Sequence, residues 1–179
     1  MDTKRIISFV LASVTAISIV GCGADSSSTS QNTSEAQSSE SESVISSAEM
    51  LKAALDKVPD NNLDTTTVKG DTSDYGFDSF CKKLYSGTMP EDLDDGLISY
   101  ASTGGYADEI SILKPKNADD KSKLLSILKE RINVRRHDFE GYKPEELTKI
   151  DNAQVFEQDG ACILIIAENA AEIKDAFKG

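Results

Sequence analysis

The scarcities of this sequence bound it first. It has one histidine, His137, and no tryptophan. A single imidazole excludes metal sites built on paired histidines. There is no Gly-x-Ser-x-Gly elbow and no Walker loop, so two common routes to hydrolase and nucleotide chemistry are absent. Positive charge is also scarce: 19 Lys and Arg stand against 31 Asp and Glu, for a net charge of −12. Phosphate neutralisation needs Lys and Arg, so nucleic acid is not an expected partner. An acidic surface is likewise repelled by anionic lipid. The longest apolar run, Ile6 to Val20, is fifteen residues with Ser8, Ser13, Thr15 and Ser18 among them. A membrane span needs about 20.

That run suits a leader instead. Lys4 and Arg5 precede it, and Ile19-Val20-Gly21-Cys22 follows. A positive segment followed by a short apolar one is the pattern of a secretory signal. The final four residues resemble the lipobox of bacterial lipoproteins. The resemblance implies cleavage before Cys22, acylation of that cysteine and anchoring to the outer face of a cytoplasmic membrane. Two or three acyl chains anchor stably where one is marginal. Lys4, Arg5 and Asp2 give the leader +1, so the remainder stands at −13.

Residues 1–21 are thus expected to be a signal peptide, 22–47 a lipidated tether and 48–179 a globular domain. Eleven of the twenty-five residues from Gly23 to Ser47 are serine, with acids and no base among the others. Such a segment buries too little apolar surface to offset its ordering entropy. As a coil it would span about 28 Å.

Periodicity begins at Ser46, where Ser46 and Glu49 fit a capping box. Met50, Leu51, Ala54, Leu55 and Val58 form one helical face, ended by Pro59. Thr65 to Val68 could form a short strand. Phe77, Phe80, Cys81, Leu84 and Tyr85 predict a second helix over about 78–86. Pro90-Glu91-Asp92 reads as a helical turn. Two hairpins are expected: 97–102 with 106–114 around Gly104-Gly105, and 153–158 with 161–167 around Asp159-Gly160. The run 161–167 has no polar face, so it should be a central strand covered on both sides, or on one side with loops or a partner shielding the other. Helices follow each hairpin, with stripes at Leu124, Leu125, Leu128 and Ile132 and at Ala170, Ile173, Ala176 and Phe177; a short one starts at Pro144. The order implies an α+β two-layer sandwich, with helices on one face of an antiparallel sheet.

Four stretches carry a family resemblance: Met89-Pro90-Glu91-Asp92-Leu93, Gly105-Tyr106-Ala107-Asp108-Glu109-Ile110, Phe139-Glu140-Gly141-Tyr142-Lys143-Pro144-Glu145-Glu146 and Ile150-Asp151-Asn152-Ala153. In this order and spacing they resemble a family of small lipoproteins from Gram-positive anaerobes that carry a domain of unknown function. The resemblance covers about residues 48–178. It implies a compact α/β domain and brings no activity or catalytic residues.

Chemistry is otherwise sparse. His137 follows Arg135-Arg136 at a helix end, the position of a solvated or capping residue. Lys129, Arg131, Arg135 and Arg136 read as a solvated face that could pair with the domain's own acids. The acid groups Asp92, Asp94, Asp95 and Asp71, Asp74, Asp78 lack a calcium-loop pattern and read as turns. Cys81 and Cys162 fall on core faces, as buried free thiols or, alternatively, a disulfide. Tyr100, Tyr106, Phe139 and Tyr142 sit near turns and could line a groove, or pack on the sheet. No cofactor, metal or catalytic residue is expected. The functional expectation is a non-catalytic binding or accessory protein of the cell envelope, with an envelope protein or wall component as partner. Small-ligand binding or sensing is the alternative.

Overall fold

A computed structural model describes residues 45–58 and 61–178 of the chain. The leader, the lipobox residues Ile19, Val20 and Gly21, Cys22 and the tether to residue 44 lie outside the described residues, as does Pro59.

Helix α1, Ser47–Lys57, starts where the sequence signal lies. Ser46 Oγ accepts from the Glu49 amide, and the Glu49 carboxylate accepts from the Ser46 amide. The Ser47 amide also donates to Asp95 at 2.7 Å, fixing the helix start to the sheet. Strand β1, Thr65–Val68, comes next, then α2, Phe77–Leu84. A single turn at Pro90–Asp92 leads into β2, Leu93–Tyr100, which pairs with β3, Glu109–Pro115. The long helix α3, Lys121–Glu140, crosses back, and a turn at Pro144–Glu146 runs into α4, Leu147–Asp151. Strands β4, Gln154–Gln158, and β5, Ala161–Ile166, form the second hairpin, and α5, Ala170–Phe177, ends the described chain. The sheet has order β1-β2-β3-β5-β4 with every pair antiparallel.

The class is α+β, as the pattern of elements implies. Helices cover both faces of the sheet, however, so there are three layers and not two. β5 shows why, since all six of its residues are buried. Ala161, Ile163 and Ile165 join α1 and α5 residues Met50, Leu51, Ala170 and Ile173 in one core. Cys162, Leu164 and Ile166 join Phe77, Leu128 and Phe139 in the other. A strand's side chains alternate, so one without a polar face needs cover on each side. The expectation for β5 contained this answer; the two-layer expectation put all the helices on one face.

The Asp159-Gly160 turn forms as expected, with φ of 49° and 77°, the left-handed pair that a tight hairpin of this twist requires. The Gly104-Gly105 turn also forms, the Tyr106 amide donating to the Thr103 carbonyl at 3.4 Å, but in a longer connection than expected. Strand pairing stops at Tyr100 opposite Glu109, leaving a connection over 101–108, and neither glycine has a positive φ. The Ala101 amide still donates to the Asp108 carbonyl at 3.1 Å, and side chains from elsewhere hold the Gly105 and Tyr106 carbonyls and the Ala107 amide. β2 also begins earlier than expected, at Leu93, with an irregularity between Leu93 and Asp95. Gly96 is required there: a Cβ would lie 2.3 Å from the Phe77 ring.

Candidate functional site

The site is built where the β2–β3 connection meets the middle and end of α3. Glu109 opens β3 on the face covered by α2 and α3. Its side chain is 2 % exposed, and that of Arg131 is 6 % exposed. Arg131 forks onto it: Nε donates to both carboxylate oxygens at 3.2 Å, and Nη2 donates to Oε2 at 2.7 Å. The Tyr85 hydroxyl donates to Oε1 at 2.6 Å and also meets the Ser111 hydroxyl. Bidentate charge-assisted bonds of this kind are the strong ones.

Burial alone would push the Glu109 carboxyl up. The Arg131 charge and hydrogen bonds, then Arg135, outweigh it, and the net direction is down. Burial likewise opposes charge on Arg131, but Glu109 holds its pKa above the usual value. Tyr85 is pushed well up, by burial first and by the Glu109 charge second.

Arg135 lies one turn further along α3. Its Nε is 3.8 Å from Glu109 Oε2, its side chain 17 % exposed. Nη2 donates to the Tyr106 carbonyl at 3.3 Å, and the guanidinium stands 4.8 Å from the Phe139 ring centre. The buried Nε has no hydrogen-bond partner among the described residues. Burial pushes this guanidinium below its ordinary pKa, and Glu109 only partly opposes that.

A second ion cluster grips the connection from the other side. Lys149 Nζ donates to Asp108 at 2.8 Å and lies 2.9 Å from Glu146 Oε2. Glu146 accepts the Ala107 amide at 2.9 Å. Lys143 Nζ donates to the Gly105 carbonyl at 2.9 Å, and Lys143 and Lys149 both stand over the Tyr106 ring. Burial works against the Lys149 charge, yet its bonds to Asp108 and Glu146 leave its pKa raised. Two stretches that carry the resemblance, Gly105–Ile110 and Phe139–Glu146, therefore meet in space.

Above Glu109, Arg131 and Arg135 lies a cavity of about 180 Å³, walled by Phe80, Leu84, Ile98, Tyr100, Ala101 and Tyr106, with Gly104 at its lip. Phe80 and Tyr100 meet edge to face at 5.1 Å. A larger, more apolar groove of about 490 Å³ runs between the end of α2 and α3, along Leu84, Ile127 and Val134, and shares Leu84 and Arg131 with the cavity.

Of the four aromatics expected near a groove, Tyr100 and Tyr106 wall the cavity. Phe139 is a buried core residue beneath Arg135, and Tyr142, 66 % exposed, stands beside it away from the cavity. The basic residues of α3 divide in the same way. Lys129 is exposed, Arg136 pairs with Asp151 at the surface, and Arg131 is buried. The solvated-face expectation fails for Arg131 and Arg135. The suggestion that α3 pairs with the domain's own acids holds. Among the acid groups, Asp71 accepts from the Ser73 amide and the Thr67 hydroxyl, and Asp78 accepts from the Gly70 amide. They brace turns. Cys81 and Cys162 are both free and buried, with thiols pushed up by burial to about 12 and about 11.

Residues 72–167, more than half of the chain, match a family model described as a domain of unknown function, DUF4358. The chain belongs to the DUF4358 family. The DUF4358 segment runs from before α2 through β5 and leaves α1, β1 and α5 outside. All residues around the 180 Å³ cavity, and both ion clusters with it, fall inside the segment. No curated protein and no solved structure matches the chain. Glu109 and Lys149 are residues that sequence reasoning missed, and Arg131 is one that it placed on a solvated face. Their one signal was the Asp108-Glu109 pair at the head of an apolar strand, where carboxylates need buried partners.

Proposed function

We propose that this chain is a membrane-anchored extracytoplasmic lipoprotein, held on the outer face of a bacterial cytoplasmic membrane by lipid on Cys22, and that it serves as a non-catalytic binding or accessory protein of the cell envelope. The leader and lipobox pattern support the address. Among the described residues no helix is long and apolar enough to cross a membrane, and the lipid would supply the attachment.

One observation supports binding over chemistry: the acids around the cavity are each engaged by a buried cation. A general base needs a carboxylate or imidazole free to take a proton. Glu109 is saturated by Arg131 and Tyr85, Asp108 and Glu146 by Lys149, while His137 is exposed on α3. A nucleophilic cysteine needs a lowered pKa, and both described thiols move the other way. An enzyme is the less supported reading.

Labelling cells with an alkyne fatty acid tests the anchor. Wild type should take up label and fractionate with membranes, and Cys22→Ala should take up none; label persisting in the variant would overturn the assignment. Crosslinking in intact cells tests the binding role. A reproducible envelope partner supports it, and recovery of abundant surface proteins alone overturns it.

The cavity favours a second reading, small-ligand binding or sensing. A concave site with aromatic walls and a few converging polar groups is the usual form of a small-molecule site.

A further inference from the structure

We propose that the cavity between α2, the β2–β3 connection and α3 binds a small organic acid, its carboxylate on Arg135 and its apolar body between Phe80, Tyr100 and Tyr106. The proposal rests on the second reading above and names its ligand class.

Three observations carry it. The first is charge. Glu109 faces two guanidinium groups and is already held by Arg131 and by the Tyr85 hydroxyl. That leaves one positive charge in excess within the cluster. Asp138 also faces Arg131 and Arg135, but from an exposed position on α3 where water screens it. The second is Arg135 itself, which lines the cavity and keeps 17 % of its side chain exposed, where Arg131 keeps 6 %. A ligand carboxylate on the exposed part of this guanidinium would neutralise the excess charge. The third is the wall. Phe80 and Tyr100 present ring surface that inorganic phosphate would leave unused.

Size narrows the class further. A cavity of about 180 Å³ holds roughly six waters at ~30 Å³ each. It falls below the ~300–1,000 Å³ of drug-sized sites. One ring or a short branched chain carrying one carboxylate fits.

The mouth offers a variant that leaves the core alone. A Cβ placed on Gly104 meets nothing within 4 Å, and its φ is not positive. Gly104→Leu should narrow the entrance without strain. Arg135→Met should remove the charge while leaving the Glu109–Arg131 pair in place.

The test is titration calorimetry on the full-length chain in nanodiscs, with empty nanodiscs as blank. The probes are benzoate, phenylacetate and 4-methylpentanoate, with benzyl alcohol as the neutral counterpart and inorganic phosphate as the apolar-free anion. At least one acid should bind, ten-fold or more tighter than benzyl alcohol or phosphate. Its affinity should fall ten-fold or more in both Arg135→Met and Gly104→Leu. The proposal is overturned if no acid binds, if benzyl alcohol or phosphate binds equally well, or if either variant keeps wild-type affinity. Should Arg135→Met fail to fold by circular dichroism, Arg135 is structural and the proposal falls as well. Failure here leaves the envelope-binding reading standing, because intact-cell crosslinking tests that separately.

Discussion

Replacing Glu109 with glutamine should destabilise the domain severely while barely changing its shape. The amide side chain keeps the volume and one carbonyl oxygen. The Tyr85 hydroxyl can still donate to it, and so can one Arg131 nitrogen. What is lost is the charge that Arg131, 6 % exposed, needs beside it. Removing one partner of a buried pair typically costs about 3–5 kcal/mol, because the other charge stays desolvated. The retained hydrogen bonds argue for the lower end, roughly 3 kcal/mol. Against a usual total of about 5–15 kcal/mol this is a large fraction. For a domain of this size it lowers Tm by on the order of 10–15 °C. Urea and thermal unfolding followed by circular dichroism would read it. A loss below about 1 kcal/mol would refute the reasoning, since it would mean that the pair is effectively solvated. The double variant Glu109→Leu with Arg131→Met removes both charges and should recover much of the loss, with a coupling of about 2–3 kcal/mol in the cycle. pH gives an independent check. Glu109 is held below its ordinary value of 4.5. Its contribution is therefore complete above that value and fades as pH falls toward the depressed folded pKa. The gap between wild type and Glu109→Gln should be widest near neutrality and should narrow below about pH 4.

Other perturbations follow from the same packing. Lys149→Met should leave Asp108 and Glu146 buried without their cation and cost about 2–4 kcal/mol in urea unfolding, whereas exposed Lys129→Met should change stability by under about 0.5 kcal/mol. Because bonding to Asp108 and Glu146 raises Lys149 above 10.5, its contribution should hold at neutral pH and decline only as alkaline pH passes that raised value. Gly96→Ala should push against the Phe77 ring and cost about 1–3 kcal/mol by overpacking. Thiol titration should find no reactive cysteine in the native lipidated protein and two after denaturation, Cys81 and Cys162; a third would show that Cys22 is unmodified.

Much of the fold was legible from two rules. The Asp159-Gly160 turn and the apolar run after it located β4 and β5, and period-3.6 stripes with capping residues located α1, α3 and α5. Asp159-Gly160 was readable because its turn is closed by backbone geometry alone. The Gly104-Gly105 turn was legible in place, but the length of the connection around it was not, because tertiary contacts set it. Glu146 takes the Ala107 amide, and Lys143 takes the Gly105 carbonyl. Both lie more than thirty residues away, beyond any local pattern. The layer count was missed for a related reason. An apolar stripe shows that a helix covers something, but not which face of the sheet it covers. Arg131 was missed because α3 is mostly polar around its circumference, and charge on such a helix ordinarily means solvent. Only its partner, 22 residues back on β3, makes it a buried residue.

The adjacent acids Asp108 and Glu109 explain why the connection they end is long yet held. Each draws a cation from a different element, Lys149 from α4 and Arg131 from α3. Satisfying both carboxylates fixes where those two helices sit against the start of the central strand. The chain between Tyr100 and Glu109 must then follow a path that strand pairing alone would not give it. Along that path the Tyr106 carbonyl reaches Arg135, the Gly105 carbonyl reaches Lys143, and the Tyr106 ring lies under two ammonium groups. Side chains add to the Ala101–Asp108 and Thr103–Tyr106 backbone bonds in holding this connection. The walls of the 180 Å³ cavity are thus set by the same ion pairs that stabilise the fold. A ligand entering it would meet groups already in position and would lose little ordering entropy. Loss of either ion cluster should accordingly damage binding and stability together, while Gly104→Leu should damage binding alone.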